Sequence, residues 1–130
     1  MKRRIVLLLL MASFWSLGQQ KRKQESANRI EVLELKAQRD RGQITLDGAI
    51  KNTGTRPLSK VVLMFDLLDA DRKTLSSRRG PVDQTVLEPG EEWPFNFYVS
   101  DHARAIEVRV AAEQRELVLD VAKPGPYPID

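Results

Sequence analysis

Asp66, Asp69 and Asp71 stand close together in mid-chain, and three carboxylates at short spacing are the raw material of a calcium site. The rest of such a site is missing. Asp69-Ala70-Asp71 brings neither further oxygen ligands nor the glycine of a calcium loop, and Arg72 and Lys73 follow at once. Aspartate favours turns because its carboxylate accepts hydrogen bonds from nearby backbone N–H groups, and these residues read as turn chemistry. Asp66 differs in lying inside an apolar alternation, where it reads as a solvated position on a strand's outer face. His102 beside Asp101 has the types of a general base and its orienting partner. No Gly-x-Ser-x-Gly elbow or comparable nucleophile accompanies it, and a single histidine does not make a zinc site of the usual type. The chain has no cysteine, which removes thiolate ligands and thiol nucleophiles. His102 is expected to be an exposed loop residue, and the chain is expected not to be an enzyme and to need no metal or cofactor.

Binding residues are easier to nominate. Trp93, Phe95 and Phe97 recur at strand spacing, with Val99 continuing the row. Exposed, such a stripe is a platform for sugars or for a partner's apolar surface; buried, it is core. Alternation with Glu92, Asn96 and Tyr98 favours burial, with Trp93, next to Pro94, the stripe residue expected to be partly exposed. Trp93 and Tyr98 are therefore the candidates for ligand contact. Arg72, Lys73, Arg78 and Arg79 make a basic hairpin. That reads as charge placed on an edge strand to block sheet-to-sheet pairing, with a patch for an acidic partner as the alternative. The alternating prolines of the tail would suit a groove that recognises polyproline II, against the default of a loose end.

The elements that must hold these residues are strands. Ile30 and Val32, then Leu33, Leu35 and Ala37, suggest a strand whose facing changes midway, as at a bulge. Asp40-Arg41-Gly42 is a turn. Ile44, Leu46, Gly48 and Ile50 alternate with polar or small residues as in a half-buried strand, closed by Asn52-Thr53-Gly54-Thr55-Arg56-Pro57. Leu58 to Leu68 is the strongest strand, apolar on both faces and therefore central. Asp69 to Lys73 turns into a short polar edge strand, Thr74 to Arg79, which Gly80-Pro81 is expected to break. Leu87-Glu88-Pro89-Gly90 is an apolar anchor with a Pro-Gly turn. Glu91 to Ser100 is a strand that Pro94 assigns to an edge. Ile106 to Val110 follows, then a tight hairpin at Glu113-Gln114-Arg115 into Leu117, Leu119 and Val121. About seven short strands with turns at regular spacing predict an all-β, immunoglobulin-like antiparallel β-sandwich, with a small barrel as second choice.

The N-terminus reads as a targeting segment. Lys2, Arg3 and Arg4 precede an apolar run, and Ser16-Leu17-Gly18 supplies small residues for cleavage after Gly18. The run from residue 5 to 17 falls short of the ~20 residues that span a bilayer, although Lys21-Arg22-Lys23 keeps a retained membrane anchor as the rival. The organisation expected is a signal peptide at 1–18, a polar linker at 19–29, the sandwich at 30–122 and a Pro-rich flexible tail at 123–130. Of the 21 basic side chains the leader carries three and of the 18 acidic ones none, so the processed chain is balanced. A nucleic-acid partner is thereby disfavoured, since phosphate neutralisation needs a basic surface. The setting expected is extracytoplasmic, periplasmic or secreted, with association through residues 5–17 if the leader is kept.

Three runs line up with a family pattern. Phe65-Asp66-Leu67-Leu68-Asp69, the upstream Gly48-Ala49-Ile50-Lys51-Asn52-Thr53-Gly54 and the downstream Leu87-Glu88-Pro89-Gly90-Glu91 with Phe95 occur in order. In these the chain resembles the FxLYD-type domains, small immunoglobulin-like modules of exported bacterial and archaeal proteins, with Leu68 where the family name has tyrosine. The resemblance covers Ile30 to Val121. It implies an architecture, with Phe65, Leu67, Asp69, Asn52, Gly54, Pro89 and Gly90 as its structural signature, and an extracytoplasmic setting. It brings no catalytic residue. The function expected is a non-enzymatic exported module contacting an unidentified protein or envelope component; the alternative is a carbohydrate- or ligand-binding sandwich using exposed aromatics.

Overall fold

The computed structural model describes residues 27–130 and is built of strands and turns. The leader and most of the linker lie outside the described residues. Eleven strands follow in order: β1 (Arg29–Asp40), β2 (Gln43–Asn52), β3 (Leu58–Ser59), β4 (Val61–Leu68), β5 (Thr74–Pro81), β6 (Val86–Leu87), β7 (Glu92–Ser100), β8 (Glu107–Gln114), β9 (Leu117–Val118), β10 (Asp120–Ala122) and β11 (Tyr127–Pro128). One sheet has the order β10-β1-β2-β7 and the other β11-β8-β4-β5, with β9 also on β8; β3 and β6 form a small third pair. Strand pairings are antiparallel except β1 with β10. Ile30, Val32, Ile44, Leu46 and Ile50 of the first sheet share one buried cluster with Leu63, Phe65, Leu67, Val108 and Val110 of the second. The all-β reading holds, and the two sheets make a β-sandwich.

The period-two pattern explains most of this. β4 lies between β5 and β8 and buries Val61, Leu63, Phe65 and Leu67, as a central strand should. β5 and β7 each pair on one side only, so the polar strand and the Pro94 strand are both edges. The facing change in β1 is a bulge: register shifts between Val32 and Glu34, and burial passes from Ile30 and Val32 to Ala37. Arg41 (φ 52°) and Gly42 (φ 83°) form the two-residue turn into β2, both left-handed as such hairpins require.

Four sequence expectations need correction. The strand expected from Leu58 to Leu68 is cut at Lys60, whose left-handed φ of 53° turns Leu58–Ser59 away to pair with β6. Gly80-Pro81 does not break β5 but completes it, opposite Leu63 and Val62. An edge strand tolerates the missing proline N–H, and Gly80 leaves room for the Phe97 ring, which a Cβ would meet at 2.7 Å. The hairpin after β8 turns at Arg115 and Glu116, and its return arm changes sheets. Leu117–Val118 stays on β8, buried Leu119 donates to the Ala112 carbonyl at 2.9 Å, and β10 crosses to lie parallel to β1. Leu117 is consequently 68% exposed instead of sharing a face with Leu119.

Part of the tail joins the sheets, at residues 127–129. Tyr127 and Pro128 pair with Val108 and Glu107 of β8, and Ile129 bridges to Ala37 of β1. The Ile129 N–H bonds to the Ile106 carbonyl and the Asp130 N–H to the Ala37 carbonyl, each at 2.9 Å, while Tyr127 and Ile129 pack on the core. Three prolines remove donors, but the intervening residues still supply donors and apolar side chains.

Candidate functional site

The aromatic stripe is core at the open edge of the sandwich. Phe65 on β4 meets Phe95 and Phe97 of β7 at ring-centroid distances of 5.5 and 5.4 Å, and Trp93 stacks on Phe95 at 6.4 Å. Phe95 is buried, while Trp93 and Phe97 are half-buried against the core. Tyr98 falls on the opposite register of β7 and is 54% exposed. Trp93 and Tyr98 thus look to opposite faces of one sheet and do not form a single platform.

The basic hairpin is not one patch either. Arg79 points to the outer face of β4-β5-β8, ion-paired with Glu113 and with a guanidinium nitrogen 3.8 Å from the Met64 sulfur. Arg72, in the left-handed conformation, lies 3.8 Å from Glu107. Arg78 sits opposite Phe65, on the inner register of the exposed edge. An arginine there obstructs a second strand from docking against β5. Asp66 accepts a 2.6 Å hydrogen bond from the Ser77 hydroxyl and lies 3.9 Å from Arg109. Charges on this outer face are therefore tied to one another across the strands.

The signature residues build turns. One Asp69 carboxylate oxygen accepts from the N–H groups of Asp71 and Lys73, both at 2.9 Å, closing the β4–β5 turn. Asn52 is the single buried polar side chain among the described residues, and it joins two of the motif runs. Its amide donates to the Leu87 and Arg56 carbonyls at 2.8 and 2.9 Å and its oxygen accepts from the Gly54 N–H at 3.0 Å. Its backbone accepts from Gly90 and donates to Glu91, at 2.7 and 3.0 Å. Gly54 has no space for a side chain, because the Ala27 carbonyl occupies the place of a Cβ. Gly90, after Pro89, takes a φ of 85° that suits glycine.

His102 is a half-buried turn residue whose Nδ1 accepts from the Arg104 N–H at 3.1 Å. Its neighbour Asp101 faces Arg39 instead, 3.2 Å from the guanidinium Nε. Arg39 also donates to the Ala105 carbonyl, so it clamps the 101–105 loop to the end of β1. Sequence reading missed this arginine, since only the fold brings it to a loop more than sixty residues away.

A second feature lies outside the sequence candidates. Strand register aligns Gln38, Thr45 and Tyr98 in one row across the outer face of β1-β2-β7, and Lys36, Asp47 and Asn96 in the next. Glu34, Ala49 and Pro94 form the third row. A cleft of about 680 Å³ opens between the second and third rows, lined by Glu34, Lys36, Asp47, Gly48, Pro94 and Asn96. The volume lies within the range of ligand sites, roughly 300–1,000 Å³. The Asn96 amide donates to Asp47 Oδ1, and the other carboxylate oxygen and the amide oxygen have no hydrogen bond among the described residues. Glu34, Lys36 and Asp47 make no ion pair with other described residues, in contrast to the paired charges of the opposite face. Residue types gave no sign of this cleft, because its wall comes from three strands whose register is fixed only by folding.

No family model and no curated protein matches the sequence. Among solved structures, a β-glucuronidase from glycoside hydrolase family 2 superposes on 70% of this chain with a TM-score of 0.51 and 12% identity. The match takes in only 12% of that protein's length, and what it shows is a shared fold. A Bacteroides uniformis β-glucuronidase matches 70% of the chain and 12% of its own, at 14% identity and a TM-score of 0.47. IrmA from Escherichia coli matches over 78% of this chain and 96% of its own, at 11% identity and a TM-score of 0.43.

Proposed function

We propose that the chain is a non-enzymatic, exported module of the immunoglobulin-like, FxLYD-type kind that contacts a protein or cell-envelope component through the outer face of β1-β2-β7. One observation carries this reading: among the described residues the charges around the cleft make no ion pairs, while those of the opposite face are consumed by them. Side chains held for a partner are best left without partners of their own. The motif runs support the family reading as a reading of architecture: Phe65 and Leu67 are core, Asp69 closes a turn, and Asn52 ties the Asn-x-Gly end to the Pro-Gly turn. The groups with catalytic chemistry are spent on structure, His102 and Asp69 on backbone N–H groups and Asp101 on Arg39.

The charged leader and apolar run support export, with Gln19 as the first residue of the processed chain. Retention of the leader would instead leave the module associated with a membrane through residues 5–17.

The test is affinity capture from detergent-solubilised envelope extracts, using the exported protein purified from cells that express the full chain. Variants Tyr98→Ala and Asp47→Ala, both on the proposed face, should lose capture, and Arg79→Ala on the opposite face should keep it. Equal capture by all three proteins would refute the assignment of the face.

A further inference from the structure

The chemistry around the cleft is mixed in sign. Glu34 and Asp47 bring carboxylates, Lys36 an ammonium and Asn96 an amide, with the Tyr98 ring one row beyond. A phosphate or other anion would meet two carboxylates against one lysine, and a simple cation would meet Lys36. An apolar ligand would cover Glu34 and Lys36 without a hydrogen bond and leave the second Asp47 oxygen unpaired. A polyhydroxylated ligand satisfies all of them, because each hydroxyl both donates and accepts, so it serves a carboxylate, an ammonium or an amide equally.

We propose that this cleft binds a neutral glycan, with Tyr98 as the stacking ring and Asp47, Asn96, Lys36 and Glu34 as hydroxyl partners. The inference rests on the outer face of β1-β2-β7 being the contact surface, and it names the ligand class for that surface. A sugar ring presents C–H groups on its face and hydroxyls at its rim. It therefore needs a flat aromatic surface beside in-plane polar groups. Tyr98 is 54% exposed and stands on the same outer face, one row along β7 from Asn96 and beside the residues that line the cleft. Rows two residues apart on a strand are spaced by ~7 Å, so the three rows give a run of ~14 Å, long enough for more than one ring.

Preorganisation follows from the same register. All these side chains stand on paired strands, and the bond from Asn96 to Asp47 fixes both heads before a ligand arrives. Since no ion pair among the described residues holds Glu34, Lys36 or Asp47, a hydroxyl gains its hydrogen bond without breaking an existing pair.

Calorimetric titration of the exported protein with cellohexaose, mannohexaose, xylohexaose and maltohexaose tests the ligand class, alongside capture from envelope extracts treated with periodate or with protease. Saturable binding of at least one oligosaccharide is expected, weakened about tenfold by Tyr98→Ala and by Asp47→Ala and unchanged by Arg79→Ala. Periodate, which cleaves vicinal diols, should abolish capture, and protease should not. Both face variants should unfold at the wild-type denaturant midpoint, because the altered side chains are exposed. If capture depends on Tyr98 but resists periodate and is destroyed by protease, the glycan inference falls while the face survives. If capture ignores both Tyr98 and Asp47, the inference and the functional reading fall together. Failure of all four sugars with no effect of periodate overturns the glycan inference.

Discussion

Replacing Asn52 with alanine removes one side chain and three hydrogen bonds. The Leu87 carbonyl loses a buried bond and the Arg56 carbonyl a partly exposed one, while the Gly54 N–H loses the amide oxygen but keeps the Arg29 carbonyl at 3.1 Å. A buried group left unpaired costs ~1–2 kcal/mol and the other two losses less, so the expected loss is about 2–3 kcal/mol. At this domain size that lowers Tm by roughly 10 °C. Urea unfolding followed by circular dichroism reads the loss directly. The isosteric Asn52→Asp variant sharpens the test. It keeps an acceptor for the Gly54 N–H but turns a carboxylate oxygen toward the Leu87 and Arg56 carbonyls. Burial and those carbonyls raise the folded pKa of the new carboxyl above its unfolded value of ~3.9. The variant therefore retains most of its stability below that value and loses it as pH rises through the folded pKa. An Asn52→Ala loss below about 1 kcal/mol, or an Asn52→Asp stability that does not change with pH, would show that the amide is not the tie.

Phe65→Ala should destabilise the fold by about 3–5 kcal/mol, since a fully buried ring leaves a cavity among Phe95 and Phe97; denaturant unfolding near the wild-type midpoint would contradict its place in the core. Burial first, and the Glu31 carboxylate second, push the Tyr127 phenol above its ordinary value of 10.0. The neutral phenol, which donates to the Lys123 carbonyl, thus contributes stability below pH 10.0 that is lost as pH rises through the higher folded value. A phenolate absorbance titration of Tyr98→Phe should place Tyr127 above the ordinary value, and Tyr127→Phe should remove this alkaline loss of stability. N-terminal sequencing of the exported protein should begin at Gln19; Met1 on membrane-bound protein would refute cleavage.

Alternation made the body of the fold legible. Val61, Leu63, Phe65 and Leu67 marked a central strand, Pro94 marked an edge, and the odd phase of Ile30 to Ala37 marked a bulge. The losses have a common physical cause: periodicity reports that a strand has two faces, not which sheet it joins. Leu117 and Leu119 share a phase in sequence but separate when the chain leaves β8 for β1. Lys60 carries no mark of its left-handed backbone, as a glycine would. The tail was obscured by its prolines, although Tyr127 and Ile129 keep strand spacing between them. The site was legible only as residue types. Tyr98 was nominated, but Glu34, Lys36, Asp47 and Asn96 are ordinary strand positions until register sets them side by side. Trp93 could be matched with Tyr98 only while the faces were unassigned.

The closing segment has a mechanical meaning. β10 lies parallel to the start of β1, and Ile129 and Asp130 bond near its far end, so the last stretch of chain runs alongside the first. Residues 27 and 130 consequently sit at opposite ends of the sandwich. A tension drawing those two points apart acts along both segments and loads their hydrogen bonds together in shear, where a hairpin pulled at its open end would unzip one bond at a time. The fold is thereby suited to carry force along β1 while the outer face of β1-β2-β7, with its cleft, stays presented to the side.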